Sequence, residues 1–155
     1  MKILTTFYSR SGTTKKIGEQ IADELKCDIE EFFDTQKRSG IIGWLKCGYQ
    51  ATRKKLTVLK PIEKNLNDYD LVIIGTPIWN GNVSVPSRTY VIENASKFKS
   101  IAFYCTAGGS DGEKAFANME NSCNKKPVAV LGITKKDIKN EMHLEKIKNF
   151  IAKIQ

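Results

Sequence analysis

The sequence predicts a doubly wound α/β domain, a five-stranded parallel sheet with helices on both faces. Three observations carry this expectation. Segments of strand character and segments of helical period alternate five times along the 155 residues, the order that builds a parallel sheet with right-handed crossovers. Leu71-Val72-Ile73-Ile74 is an unbroken apolar run, as a parallel strand buried on both faces requires. Loops rich in Gly, Ser, Thr and Asn follow the first, third and fourth strands, beyond the strand ends where such folds bind ligands.

Lys2 to Tyr8 is rich in β-branched and aromatic residues and stops at Ser9-Arg10-Ser11-Gly12, which reads as a strand entering a loop. From Thr13 to Lys26 the residues Ile17, Ile21, Ala22 and Leu25 mark one face of a helix. Ile29, Phe32 and Phe33 mark a weaker second strand. Leu71 to Ile74 is the third, ended by Gly75-Thr76-Pro77. Pro86 opens a helix with Tyr90, Val91, Ala95 and Phe98 inward, and Ile101 to Cys105 is the fourth strand. Glu113 to Cys123 places Phe116, Met119 and Cys123 at helical spacing. Val128 to Ile133 is the last strand, and Leu144, Ile147, Ile151 and Ile154 line a terminal helix.

With 41% hydrophobic and 27% charged residues, one domain over residues 1–155 is expected, long enough to bury roughly 68–70% of its unfolded surface. No apolar run approaches the roughly 20 residues of a membrane span, and strand pattern begins at once. A cytoplasmic protein without membrane insertion is expected. Cys27, Cys47, Cys105 and Cys123 form no Cys-x-x-Cys pair, and His143 is the single histidine. No metal site is assigned. His143 reads as a surface residue and Cys105 as a buried thiol, so no catalytic residue is assigned either.

The net charge is +8, and it is concentrated. Residues 34–64 carry eight basic and two acidic residues, a balance of +6. Within them a basic helical insert is expected at about 35–62, with Ile41, Ile42, Trp44, Leu45 and Tyr49 interspersed among Lys46, Arg53, Lys54 and Lys55. It either covers the sheet edge or meets a partner or ligand. A basic nucleic-acid-binding module would fit the charge but leave the loop chemistry idle, so no nucleic-acid partner is assigned.

That chemistry is concentrated at Ser9-Arg10-Ser11-Gly12-Thr13-Thr14, four hydroxyls immediately before a helix. The first N–H groups of a helix lack intrahelical partners and lie at its positive end. Hydroxyls, bare N–H groups and dipole together make a phosphate cradle. Neither Gly-x-Gly-x-x-Gly nor Gly-x-x-x-x-Gly-Lys-[Ser/Thr] is present, so a dinucleotide fingerprint and a nucleoside-triphosphate loop are both excluded.

Ser9, Ser11, Gly12 and Thr14 resemble the Ser/Thr-x-Ser/Thr-Gly-x-Thr phosphate motif of the flavodoxins. Gly75-Thr76-Pro77-Ile78-Trp79 resembles the second, flavin-flanking loop of a flavodoxin subgroup, and Cys105-Thr106-Ala107-Gly108-Gly109-Ser110 resembles the third. With no insertion in the last strand, the chain is similar to short-chain members. The resemblance implies a flavodoxin-like fold of strand order 2-1-3-4-5 and bound FMN. It assigns the cofactor to Ser9, Arg10, Ser11, Gly12, Thr13 and Thr14; to Thr76, Pro77, Ile78, Trp79, Asn80, Gly81 and Asn82; and to Thr106, Ala107, Gly108, Gly109, Ser110 and Gly112. Trp79 is the expected plate for the flavin ring. The expected function is low-potential electron transfer by a monomer between transient redox-protein partners, donor and acceptor. The alternative is an FMN-dependent NAD(P)H or quinone reductase, which the absence of a third-loop aromatic leaves open.

Overall fold

In the computed structural model, which describes residues 1–155, five parallel strands form one sheet: β1 Ile3–Phe7, β2 Asp28–Glu31, β3 Leu71–Trp79, β5 Ile101–Ala107 and β6 Val130–Thr134. A two-residue strand, β4 Asn82–Val83, pairs antiparallel with the end of β3. The sheet order is β2-β1-β3-β5-β6, the expected 2-1-3-4-5 once β4 is set aside. Register runs Thr5 beside Ile73 and Ile73 beside Ala102.

Two apolar layers hold the sheet. On one face Leu4, Val72, Ile74 and Phe103 pack with Tyr90 and Val91 of α3 (Val85–Asn94) and Phe116 and Met119 of α4 (Glu113–Cys123). On the other, Phe7, Ile73 and Tyr104 pack with Ile17 and Ile21 of α1 (Thr13–Leu25) and Ile147 and Phe150 of α6 (Met142–Ile154). Alternate residues of each strand face opposite layers, which is why the strands read as continuous apolar runs.

Several boundaries differ from expectation. Gly75-Thr76-Pro77 does not end β3, which continues to Trp79 because β5 pairs alongside it as far as Pro77 with Thr106. Gly75 is a strand residue there, since a Cβ would overlap the Tyr104 ring. Helix α3 is capped by Ser84, whose Oγ accepts from Ser87 N–H, and ends at Asn94; Ala95–Lys97 is a 3₁₀ turn. The last strand begins at Val130 rather than Val128.

His143 is buried, contrary to the surface expectation. The inner stripe of α6 is His143, Ile147, Phe150 and Ile151, while Leu144 is 46% exposed. Ile147 and Ile151 belong to both this stripe and the one read in the sequence; His143 and Phe150 take the inward places expected of Leu144 and Ile154.

Within residues 35–62 only α2, Gly40–Thr52, is helical. From the end of α2 to residue 62 the chain forms neither helix nor strand, and an isolated antiparallel bridge joins Leu59 back to Asp34. This excursion is anchored by a buried ion pair: Arg38 Nη2 lies 2.7 Å from Asp34 Oδ2, and Thr57 Oγ1 donates to the same oxygen at 3.0 Å. The Arg38 guanidinium also stands 5.1 Å from the centroid of the Trp79 ring, fixing the excursion to the end of β3. Burial, together with nearby Asp34, pushes the Tyr8 hydroxyl up to about 12.

Candidate functional site

At the carboxyl ends of β1, β3 and β5 lies a cleft of about 620 Å³, within the roughly 300–1,000 Å³ of small-molecule sites. Its floor is the start of α1. Gly12 caps that helix in the left-handed region, φ 95°, without a side-chain cap. Ser9 Oγ instead accepts from the N–H groups of Gly12 and Lys15 at 3.1 and 3.2 Å. The N–H groups of Ser11, Thr13 and Thr14 make no hydrogen bond within the protein. These three donors, the hydroxyls of Ser11 and Thr13 and the helix dipole suit a phosphate.

Thr14 is placed differently from its neighbours. Its hydroxyl is buried and shares a 2.7 Å hydrogen bond with that of Thr106, while its carbonyl accepts from Tyr104 Oη at 3.0 Å. The start of α1 and the end of β5 are thereby locked together.

The second wall is a hairpin. Asn80 and Gly81 have φ of 50° and 74°, the two-residue turn that requires positive φ twice and favours Asn-Gly. Asn80 Nδ2 donates to Thr52 Oγ1 of α2 at 2.8 Å. Thr76 does not face the cleft: it is buried, its Oγ1 donating to Ser84 Oγ at 3.1 Å and accepting from Ser84 N–H. Asn82 is likewise buried, bonded to the Asn80 carbonyl.

Of the residues assigned from the sequence, Arg10, Ser11, Thr13, Thr14, Pro77, Ile78, Trp79, Asn80, Thr106, Ala107 and Gly108 line the cleft. Ser9 and Gly12 shape the first loop from behind. Gly109 and Ser110 are exposed beyond the cleft. Gly112 caps α4 at φ 82°, where a Cβ would overlap Cys105 Sγ. Cys105 is the expected buried thiol, its Sγ pushed up to about 12 by burial.

Trp79 lines the cleft but lies largely in the core, 8% exposed and edge-on to Tyr8 at 5.7 Å. The open aromatic surface of the cleft comes instead from Trp44 and Tyr49 of α2, with Leu45 and Gly48 beside them. The sequence signal was the aromatic content of the insert, which did not say which face of α2 would turn to the cleft. Ile133, Lys135 and Ile138 complete the far side. Lys135 and Ile138 belong to α5, Lys135–Lys139, fixed by a capping box between Thr134 and Asp137. Burial works to raise the Asp137 carboxyl, but Lys146 Nζ at 2.8 Å and the N–H and hydroxyl of Thr134 outweigh it and hold it at about 2.

The lining holds Arg10 and Lys135 and no carboxylate. Arg10 also ties the walls together, its Nε donating to the Arg38 carbonyl at 2.8 Å and Nη2 to that of Gly40 at 3.1 Å.

The sequence model of the family Flavodoxin matches residues 2–154. The chain belongs to the flavodoxin family. Solved structures agree in fold. A flavoprotein from Lactobacillus acidophilus NCFM in complex with FMN is 23% identical, with a TM-score of 0.71 over 91% of this chain and 97% of that one. The Fusobacterium nucleatum flavodoxin bound to flavin mononucleotide is 13% identical, with a TM-score of 0.60 over 99% and 97%. No curated protein matches the chain. No helix of the chain is long and apolar enough to cross a membrane.

Proposed function

We propose that the chain binds FMN in this cleft and carries electrons between redox proteins. The observation that carries the reading is the juxtaposition of three bare N–H groups at the start of α1 with an aromatic, carboxylate-free cleft of cofactor size. Ser11, Thr13 and Thr14 would hold the phosphate with their N–H groups, helped by the Ser11 and Thr13 hydroxyls and Arg10. Trp44, Leu45, Tyr49 and Ile78 would flank the ring system, and the backbone at Ala107 and Gly108 would meet its polar edge. Bound FMN supplies one- and two-electron transfer. The protein's own part is to bind, orient and shield it. The purified protein is expected to be yellow and to release FMN on denaturation; colourless protein that fails to take up added FMN would overturn the reading.

A reductase reading of the same site is favoured by one observation. No side chain stands within contact of a Cβ built at Gly108 or Gly109, leaving room beside the third loop for a hydride donor. Rapid bleaching of the flavin by NADPH alone would select it, whereas dependence on a separate reductase selects the carrier.

A further inference from the structure

Helix α2 is built the wrong way round for a surface helix. Its buried face is Gly43, Cys47 and Ala51. The opposite face carries Ile41, Ile42, Leu45 and Tyr49, with Ile41 and Ile42 80% and 83% exposed. A surface helix ordinarily turns polar side chains to water there, and contiguous exposed apolar patches mark interaction sites. We propose that this face docks an acidic redox protein, the apolar stripe filling the centre of the contact and lysines and arginines pairing with carboxylates around it. The proposal rests on the electron-carrier reading above and adds the chemistry of the partner.

Charge selects the partner. No Asp or Glu occurs between Asp34 and Glu63, while Lys46, Arg53, Lys54 and Lys55 all belong to this stretch. The Arg53 guanidinium and Lys55 ammonium gather against the Tyr49 ring, 5.6 and 5.7 Å from its centroid, so cations stand at the end of the stripe. Apolar and aromatic anchors inside a charged rim are the anatomy of protein–protein contacts, and a cationic rim steers an acidic surface toward it. Position supports the same partner. Leu45 and Tyr49 also line the cleft, so a protein seated on the stripe stands at its mouth. An anionic bilayer fits less well, because pressing this face into lipid would bring the hydroxyl-lined mouth against hydrocarbon and leave polar groups unpaired.

The test uses the whole chain, with and without FMN, and a small acidic iron–sulfur ferredoxin as probe; basic cytochrome c is the control of opposite charge. NMR titration with the ferredoxin is expected to shift α2 resonances in both forms, more weakly as salt rises. Reversing Lys46, Arg53, Lys54 and Lys55 to Glu is expected to weaken ferredoxin binding roughly tenfold or more and to create binding to cytochrome c. Ile41→Ser with Ile42→Ser, which lie outside the cleft, is expected to weaken ferredoxin binding at every salt concentration and leave FMN affinity unchanged. Shifts confined to surfaces away from α2, or indifference to charge reversal, would overturn the proposal. So would α2 responding to phosphatidylserine-rich vesicles and not to ferredoxin. Failure to bind FMN would overturn the carrier reading alone, since the FMN-free titration tests docking by itself.

Discussion

Thr14 of α1 and Thr106 of β5 are joined by a buried hydrogen bond between their hydroxyls at 2.7 Å. Removing one hydroxyl strands the other. Thr106→Val is expected to cost about 1–3 kcal/mol, whereas Thr14→Val with Thr106→Val should cost much less than the two single changes together, because no buried polar group is then left unpaired. Urea denaturation of the four proteins measures the coupling.

The cradle at α1 makes a statement about ligand choice. If Ser11, Thr13 and Thr14 hold a phosphate, several charge-assisted hydrogen bonds of about 1.5–3 kcal/mol each are absent with riboflavin. FMN is therefore expected to bind orders of magnitude more tightly. Fluorescence titration with both flavins measures this, and Ser11→Ala with Thr13→Ala should narrow the gap from the FMN side only.

Gly112 is held by two constraints at once, a φ of 82° and the Cys105 Sγ in the place of a Cβ. Gly112→Ala is expected to lose about 1–3 kcal/mol through overpacking. Adding Cys105→Ala should recover part of that loss, read from thermal melts.

Asp137 sets a pH dependence. Its folded value, about 2, lies below the ordinary carboxylate value of 3.8. The stability it contributes is thus fully present above about pH 4 and lost as pH falls through 2. With Lys146 partly exposed, the contribution is on the order of 1–2 kcal/mol. The stability difference between wild type and Asp137→Asn should shrink as pH drops from 5 toward 2, followed by denaturant titration at each pH.

Lys135 and Arg10 stand in a cleft lining without carboxylates. Negative charge gained by a bound flavin on reduction is stabilised by such cations. Lys135→Gln is expected to move the reduction potential of the FMN-loaded protein to more negative values by on the order of tens of millivolts, measured by spectroelectrochemistry. No change would place Lys135 outside the field of the ring.

Much of this architecture is legible in the sequence because it rests on local pattern. The apolar run Leu71 to Ile74 and the period of Ile17, Ile21 and Ala22 report burial directly. Residues read as punctuation were harder: Gly75 and Pro77 look like strand breakers, and only the Tyr104 ring across the sheet explains why glycine belongs inside β3. The inward placement of His143 rather than Leu144 on α6 escaped because the two are adjacent, and polarity alone favoured the leucine for the interior. Asp34 and Arg38 looked like two members of a charged stretch, and their pairing depends on how the excursion folds back. The α1 cradle is contiguous in sequence and was legible. The α2 wall is assembled from a distant segment, and its contribution needed the fold.

Between Glu31 and Leu71 the chain leaves the sheet, builds α2, closes on the Asp34–Arg38 pair and returns to set Ile73 beside Thr5. The entropy of closing such a loop grows only with the logarithm of its length, so halving it would gain about 0.6 kcal/mol. The entropy of sheet closure is correspondingly insensitive to the length of the excursion. One wall of the cleft is therefore exchangeable in length: a longer or shorter segment, hinged at the same two strand ends and still filling the core positions of Cys47 and Ala51, would redraw the mouth while the strand register stayed in place.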